Sequence, residues 1–180
     1  DDLRMCTARA ANQSFSSTFT GSFDGWVQES GTFSTANNYL VNTSYGGQGR
    51  MRRDTANGDF QMKFSYRDTS PISGPWGQLR FRYADSNNFG YLTLYPGSFS
   101  LSEKRAGTLV TLASGAWSTT SGDWYDVTII AEGSHIEVWR GPKDGAQTRM
   151  CSVDTATVLS GAASYLVVTT DGVYAFDDVQ

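Results

Sequence analysis

Polar and aromatic side chains alternate with apolar ones along two neighbouring segments, GQLRFRYA (77–84) and GYLTLYPG (90–97). In an extended strand this alternation places every second residue on one face. If the two segments form a hairpin, that face carries Gln78, Arg80, Arg82, Tyr91, Thr93 and Tyr95. Guanidinium groups are planar forked donors and aromatic rings are flat apolar platforms, and sugars present hydroxyl edges and C–H faces that suit both. These residue types in this pattern predict a sugar-binding face.

Neighbouring strands would extend this face with a lysine, an acid and an indole. DFQMKFSYR (59–67) offers Lys63, and HIEVWRG (135–141) offers Glu137 and Trp139. Arginine can grip carboxylate or sulfate groups with two hydrogen bonds, so the arginine density favours an acidic polysaccharide. A structural interpretation stays open, because cross-strand pairs stabilise polar sheet faces and long arginine stems can simply cover apolar surface.

Two tryptophans in loops are a second set of candidates. Trp76 lies in SGPWGQ and Trp117 in SGAWSTTSGDW, among Gly, Ser and Pro. Each is either a loop-borne platform for a sugar ring or a hydrophobic plug on the rim of the fold. Tyr45 in TSYGGQGR poses the same choice.

The closing segment LVVTTDGVYAFDDVQ (166–180) contains two adjacent acids, Asp177 and Asp178, although acids are poor strand residues. Neighbouring strand residues point to opposite faces, so we do not expect the two carboxylates to converge on one bond as a catalytic pair. Two interpretations remain open. One is a metal site that includes Asp177, and the other is solvated acids that prevent an edge strand from pairing outward.

Short strands separated by turn signals must position all these residues. Alternation of period two predicts strands at 39–45, 59–67, 77–84, 90–97, 98–105, 108–113, 124–133, 135–141 and 164–172. No stretch shows a helical period, while aromatic residues reach 13% and there are 19 glycines. The predicted fold class is therefore all-β, an antiparallel sandwich. Jelly-roll topology is favoured, because the cysteine–tryptophan–cysteine spacing of immunoglobulin domains is absent.

Length and charge limit the functional classes. The 180 residues fit a single domain, 1–180, with an N-terminal segment at 1–13. A net charge of −4 argues against bulk attraction to nucleic acid or to an anionic membrane. No apolar run reaches the about 18 residues that a membrane-spanning helix needs. The sequence opens at Asp1 without a signal peptide, and we expect a mature or excised segment.

The two cysteines, Cys6 and Cys151, match no zinc-binding or redox spacing. In a β-rich chain full of Ser, Thr and Gly, the expected arrangement is a Cys6–Cys151 disulfide that ties the N-terminal segment to a late strand. That interpretation fits a secreted protein. Two buried, unpaired thiols are the alternative.

The order of motifs resembles the concanavalin A-like (laminin-G-like) jelly-roll carbohydrate-binding modules. The levan-binding modules and related domains of unknown function are the most similar branch. The segments that carry the resemblance are FTGSFDGWVQESGTF, NGDFQMKFSYR, GQLRFRYADSNNFGYLTLYPG, GDWYDVTIIAEGSHIEVWRG and GVYAFDDVQ. The resemblance implies a carbohydrate site on the concave sheet face, with Trp26 and Trp124 in the core. It also implies a structural calcium, held by Asp177 of the closing strand and Asp24 of the FTGSFDG loop. Calcium requires six to eight oxygen ligands, so further carbonyl groups would have to contribute.

Enzymes of similar fold carry residues that this sequence lacks. Laminarinase-like hydrolases have a carboxylate cluster E-x-D-x-x-E, whereas the acids here are scattered. Alginate-lyase-like jelly rolls have a Q-I-H strand, and here His135 is the only histidine. It would have to reach the Arg/Tyr face to act as a base. A serine or cysteine triad has no nucleophile elbow to support it.

The sequence therefore predicts a non-catalytic, lectin-like module that binds a polysaccharide outside the cell, by itself or within a larger multidomain protein. The first alternative is a structural or adhesive sandwich whose partner is a protein. The second alternative is a polysaccharide lyase of jelly-roll fold.

Overall fold

A computed structural model describes residues 16–43, 48–54, 59–68, 77–157, 159, 161, 163–168 and 174–180. Alternating apolar residues make this part of the chain a succession of short strands. The fourteen strands are β1 (Val27–Ser30), β2 (Phe33–Ser34), β3 (Leu40–Asn42), β4 (Gly49–Asp54), β5 (Phe60–Asp68), β6 (Gly77–Asp85), β7 (Asn88–Tyr95), β8 (Ser98–Arg105), β9 (Thr108–Ala116), β10 (Trp124–Glu132), β11 (His135–Pro142), β12 (Thr148–Asp154), β13 (Ala163–Val168) and β14 (Tyr174–Asp177).

The strands form two seven-stranded sheets. Sheet A has the order β1-β4-β13-β6-β7-β8-β9, and sheet B has the order β12-β11-β10-β5-β14-β3-β2. Every pairing between neighbouring strands is antiparallel. The predicted all-β antiparallel sandwich is confirmed.

The core lies between the two sheets and follows from the period-two pattern. In sheet A the register places Leu79, Leu92 and Leu101 side by side, and all three are fully buried. In sheet B the register places Met62 beside Ile129, which also pairs with the fully buried Val138. Since successive residues of a strand alternate between faces, the intervening side chains must lie on the outer faces.

Four strands escaped prediction, namely β1, β2, β4 and β12. The most consequential is β4, where Met51 is the only buried apolar side chain and Arg50 and Arg52 flank it. A single apolar residue between arginines is a weak alternation signal. Its place in sheet A comes instead from pairing with β1 and β13, which are distant in sequence.

The two ends of the described chain pair with each other next to strand β5 of sheet B. The backbone N–H and C=O groups of Ser17 and Val179 bond reciprocally at 2.8 and 3.0 Å. The Trp26 indole donates to the Ser17 hydroxyl at 3.0 Å and is 3% exposed, so its predicted core position is confirmed. Within the described residues, no helix has the length and apolar character needed to cross a bilayer.

Candidate functional site

The outer face of sheet A carries the residues of the predicted hairpin in register. Arg80 pairs with Tyr91, and Gln78 pairs with Thr93. Strand β8 continues both rows, with Ser102 beside Tyr91 and Ser100 beside Thr93. Because Leu79 and Leu92 are fixed in the core, the polar residues that alternate with them are fixed on the outer face.

A hydrogen-bonded chain holds these polar side chains in place. Arg80 Nε donates to Gln78 Oε1 at 2.6 Å, and Gln78 Nε2 donates to Thr93 Oγ1 at 3.1 Å. The hydroxyls of Ser100 and Ser102 lie 3.0 Å apart. Gln78, Thr93 and Ser102 are almost completely buried, so the floor of the face is polar, ordered and shielded from bulk water. Such a floor can exchange hydrogen bonds with a ligand at little ordering cost.

Aromatic rings stand beside this floor. The Arg80 guanidinium lies 4.9 Å from the Phe89 ring centroid, and the Phe89 ring lies 5.5 Å from that of Tyr91 and 5.2 Å from that of Tyr83. Burial raises the pKa of the Tyr91 phenol, although the hydrogen bond with Ser102 acts to lower it. Tyr91 is therefore a neutral donor and acceptor throughout the physiological range. Phe89 was not predicted as a site residue, although it continues the alternation of β7.

Tyr95 is on the same face of β7 as Tyr91, at the end of the strand, and is 37% exposed. Its backbone carbonyl accepts a hydrogen bond from the Trp117 indole at 3.1 Å. Tyr95 thus marks the rim of the face, where an aromatic ring remains open to solvent.

Arg82 does not lie on this outer face, contrary to the prediction. The register of β6 and β7 shifts between Phe81 and Asp85, and Arg82 has a left-handed backbone with φ of 49°. The side chain is 1% exposed, and its Nη1 donates to the Gly133 carbonyl of sheet B at 2.9 Å. Strict alternation fails here because the irregularity turns Phe81 and Arg82 to the same, inner side.

Lys63, Glu137 and Trp139 are also separated from the Arg/Tyr face, because β5 and β11 belong to sheet B. Lys63 lies 2.8 Å from the buried Asp126 carboxylate. The Trp139 indole donates to Glu137 at 2.9 Å, and Arg149 binds the same carboxylate at 3.0 Å. These three predicted site residues therefore form a second polar surface on the opposite side of the sandwich.

Trp117 is 7% exposed and lies between the sheets. Its ring is 5.2 Å from Phe99 of sheet A and 6.0 Å from Tyr66 of sheet B. It is a hydrophobic plug, which was one of the two predicted alternatives. Trp124, predicted in the core, is instead on the outer face of sheet B, with its ring 5.5 Å from Tyr39 and 5.0 Å from the Arg67 guanidinium. Trp76 and Tyr45 lie outside the described residues.

His135 lies at the start of β11 in sheet B, on the opposite sheet from Arg80 and Tyr91. Its Nδ1 is 2.8 Å from Asp154, and its Nε2 is 3.2 Å from the Ser152 hydroxyl and 3.5 Å from Glu137. These contacts resemble a serine triad, but hydrogen bonds to the two carboxylates raise the pKa of His135, first of all that to Asp154. A protonated imidazole cannot accept a proton, so a raised pKa disfavours His135 as a general base. The lyase alternative required His135 on the Arg/Tyr face, and the structure places it elsewhere.

The protonation of His135 predicts a pH-dependent stability of the β11–β12 hairpin. The folded-state pKa of His135 lies above the ordinary value of about 6.5. The contacts of protonated His135 therefore stabilise the folded state fully below pH of about 6.5, and this stabilisation disappears as pH rises through the folded-state pKa. His135→Asn is expected to lower the free energy of unfolding by less than about 1 kcal/mol at pH 5.5, because the site is exposed, and to have no effect at pH 8.5. Urea denaturation at both pH values tests this, and an equal loss at both would contradict it.

Asp24 and Asp177, the predicted calcium ligands, belong to different networks. The Asp24 carboxylate accepts hydrogen bonds from the Phe19 amide at 2.7 Å and from the Ser22 hydroxyl. Asp177 contacts Lys143 Nζ at 3.1 Å. Among the described residues, no group of three or more His, Cys, Asp or Glu side chains is arranged to hold a metal ion. The two acids therefore do not fit a calcium site.

The two adjacent acids do converge, contrary to the prediction, because the strand ends at Asp177. Asp178 has a left-handed backbone with φ of 48°, and Lys143 Nζ lies 2.9 Å from its carboxylate and 3.1 Å from that of Asp177. Burial raises the pKa of Asp177, whereas the hydrogen bond from Lys143 lowers it. The lysine ammonium takes the place between the carboxylates in which a metal ion would have to lie.

Cys151 on β12 carries a free thiol, and burial raises its pKa. Cys6 lies outside the described residues. The predicted Cys6–Cys151 disulfide therefore stays a prediction. A half-buried thiol with a raised pKa is a poor nucleophile, and Cys151 packs against the core.

The fold is that of the concanavalin A-like jelly rolls, the structural class that includes carbohydrate-binding modules and lectins. No protein-family model matches the sequence, and no curated protein matches it. Among solved structures, the carbohydrate-binding module CBM66 from Bacillus subtilis is similar with a TM-score of 0.66 at 15% identity, over 86% of this chain and 93% of that one. The resemblance to this class is therefore confirmed at the level of the fold.

Two further structures are similar in fold. The exoplasmic/lumenal domain of VIP36, in a Ca2+/Man-bound form, gives a TM-score of 0.71 at 12% identity over 91% of this chain and 85% of that one. The GH43 protein BlXynB from Bacillus licheniformis gives a TM-score of 0.70 at 11% identity over 97% of this chain, which spans only 40% of that protein.

Proposed function

We propose that this protein is a non-catalytic carbohydrate-binding module that holds a polysaccharide against the outer face of sheet A. The observation that carries the proposal is the ordered chain of Arg80, Gln78 and Thr93 beside the Tyr91 ring. A guanidinium and an amide offer directed hydrogen bonds, and the phenol offers both a hydroxyl and a flat apolar face. Because these groups are already fixed by one another, sugar binding does not have to immobilise them.

The similar solved structures support this proposal, since one is a carbohydrate-binding module and another a lectin domain with a sugar bound. The module acts by binding alone, and raises the local concentration of whatever is attached to it at a polysaccharide surface. The match to part of a GH43 protein supports a place within a larger multidomain protein. Its working location is extracellular, where polysaccharides are found. Calcium is not part of the proposal, because Asp177 is bound by Lys143 while Asp24 is bound by the Phe19 amide and the Ser22 hydroxyl.

Affinity electrophoresis in gels containing neutral or acidic polysaccharides tests the proposed function. We expect at least one polymer to retard the wild type, and Tyr91→Ala to remove most of that retardation. Trp139→Ala is the matched control, because it removes an aromatic ring from the outer face of sheet B. If Trp139→Ala abolishes the retardation and Tyr91→Ala does not, the binding site lies on the outer face of sheet B instead. No retardation by any polymer, together with a specific protein partner in a pull-down, would favour the adhesive alternative.

A further inference from the structure

The outer face of sheet A extends beyond the hairpin and carries two more arginines. Strand β13 pairs with β6 on one side and with β4 on the other, which aligns Arg52 with Arg80 through Tyr165 and Arg50 with Gln78 through Val167. Met51 between the two arginines is fully buried in the core. Arg50 and Arg52 therefore project from the same face as Arg80.

The two additional arginines differ in their surroundings. Arg52 is already held by acids, with Nη2 2.8 Å from Asp54 and Nη1 3.8 Å from Glu29. Arg50 Nε is buried without a hydrogen-bond partner. A buried donor without a partner is unfavourable, but the Arg50 side chain as a whole is only half-buried, so its guanidinium can still meet an anionic acceptor. Arg50 is thus the second cationic group of the face that a ligand can use.

The spacing between these positions sets the size of the ligand. Strands lie about 4.8 Å apart, so the Cα atoms of Arg50 and Arg80, two strands and two residues apart, are separated by roughly 12 Å. The face from β4 to β8 is about 19 Å wide by the same spacing. A single uronic acid ring carries one carboxylate and can place it at only one arginine, whereas an extended chain that crosses the strands can place a carboxylate at each.

A groove continues the face beyond β4 and gives such a chain a path off the sheet. It has a volume of about 330 Å³ and is lined by Gly25, Val27, Glu29, Arg52, Arg53 and Asp54. Val27 is 63% exposed and pairs with Arg52 across β1 and β4. The backbone register from Ser102 to Val27 therefore runs through every strand from β8 to β1.

We infer that the face binds an anionic polysaccharide chain that lies across strands β4 to β8, with one carboxylate or sulfate at Arg80 and another at Arg50. The inference rests on the proposed function and adds to it the charge of the ligand, its direction and a second subsite. Recognition takes place along the chain, since the groove beyond β4 leaves one end of the ligand free to continue.

The test begins with retardation of the wild type by polygalacturonate, alginate, hyaluronate and a sulfated galactan, beside neutral polymers. Oligosaccharides of increasing length from the most strongly retarding anionic polymer are then titrated calorimetrically. We expect Arg50→Ala to weaken binding of a hexasaccharide at least tenfold and binding of a disaccharide less than twofold. Arg149→Ala removes the same charge from the outer face of sheet B and is expected to leave both affinities unchanged.

The outcomes separate the inference from the function on which it rests. Binding to neutral polymers alone would overturn the inference and keep the module, whereas binding to no polymer would overturn both. An equal loss with Arg50→Ala and Arg149→Ala would mean that only net charge matters, and the second subsite would be refuted. A loss that is the same for the disaccharide and the hexasaccharide would also refute it.

Discussion

Arg80→Ala is expected to weaken polysaccharide binding by about 2 kcal/mol or more, roughly 30-fold, while the protein stays folded. The guanidinium is fixed by Gln78 and by the Phe89 ring, and it lies in the middle of the outer face of sheet A. Groups that are central, ordered and shielded from water contribute most to an interface. Removing the Arg80 side chain also removes one of the two hydrogen bonds that fix the Gln78 side chain. Part of the lost affinity therefore comes from a less ordered Gln78.

Calorimetric titration of wild type and variant with the retarding polymer measures this effect, and chemical denaturation provides the stability control. Arg80→Lys keeps the charge and loses the fork, so it should recover only a small part of the affinity if two hydrogen bonds to an anionic group matter. Full recovery with lysine would mean that Arg80 acts as a simple point charge. Unchanged binding by Arg80→Ala would remove the face from the candidate sites.

Arg82→Ala is expected to affect stability and not binding. We expect it to lower the free energy of unfolding by about 3–5 kcal/mol. The guanidinium is buried, donates to the Gly133 carbonyl, and lies 3.8 Å from Asp59. The carboxylate of Glu103, also 1% exposed, acts on it electrostatically. Removal of this large buried side chain leaves the Gly133 carbonyl without its donor and leaves Arg105 as the remaining cationic partner of Glu103.

Urea denaturation of the Arg82→Ala protein measures the loss, and Glu103→Gln supplies the second arm of a double-mutant cycle. In the Glu103→Gln background, the cost of Arg82→Ala should be smaller, because no buried carboxylate remains to be balanced. Polysaccharide affinity of the folded protein should equal that of the wild type. An unchanged denaturation midpoint together with lost binding would return Arg82 to the ligand-binding face.

The contrast between these neighbouring arginines explains how far the sequence alone could lead. Alternation along β6 and β7 identifies Gln78, Arg80 and Tyr91 as neighbours on one face, because hairpin partners are close in sequence. The irregularity after Phe81 has no glycine or proline to mark it, so the inward turn of Arg82 is decided by tertiary packing.

The assignment of strands to sheets was beyond prediction for a different reason. Lys63, Glu137 and Trp139 alternate as Arg80 does, but the pattern of a strand does not say which sheet it joins. Arg50 and Arg52 became visible only once β4 was paired through β13 with β6. Contacts between residues more than one hundred positions apart leave no local trace in the sequence.

The position of β13 between β4 and β6 also determines when the protein can become competent to bind. A ribosome must release every residue up to 168 before residues 163–168 can join the two parts of sheet A. Until then, β4 and β6 are open edges that invite pairing with other chains. The face that carries Arg50, Arg52 and Arg80 is therefore assembled only after β13 has been synthesised. A nascent chain that stops before β13 would aggregate sooner than it would bind a ligand.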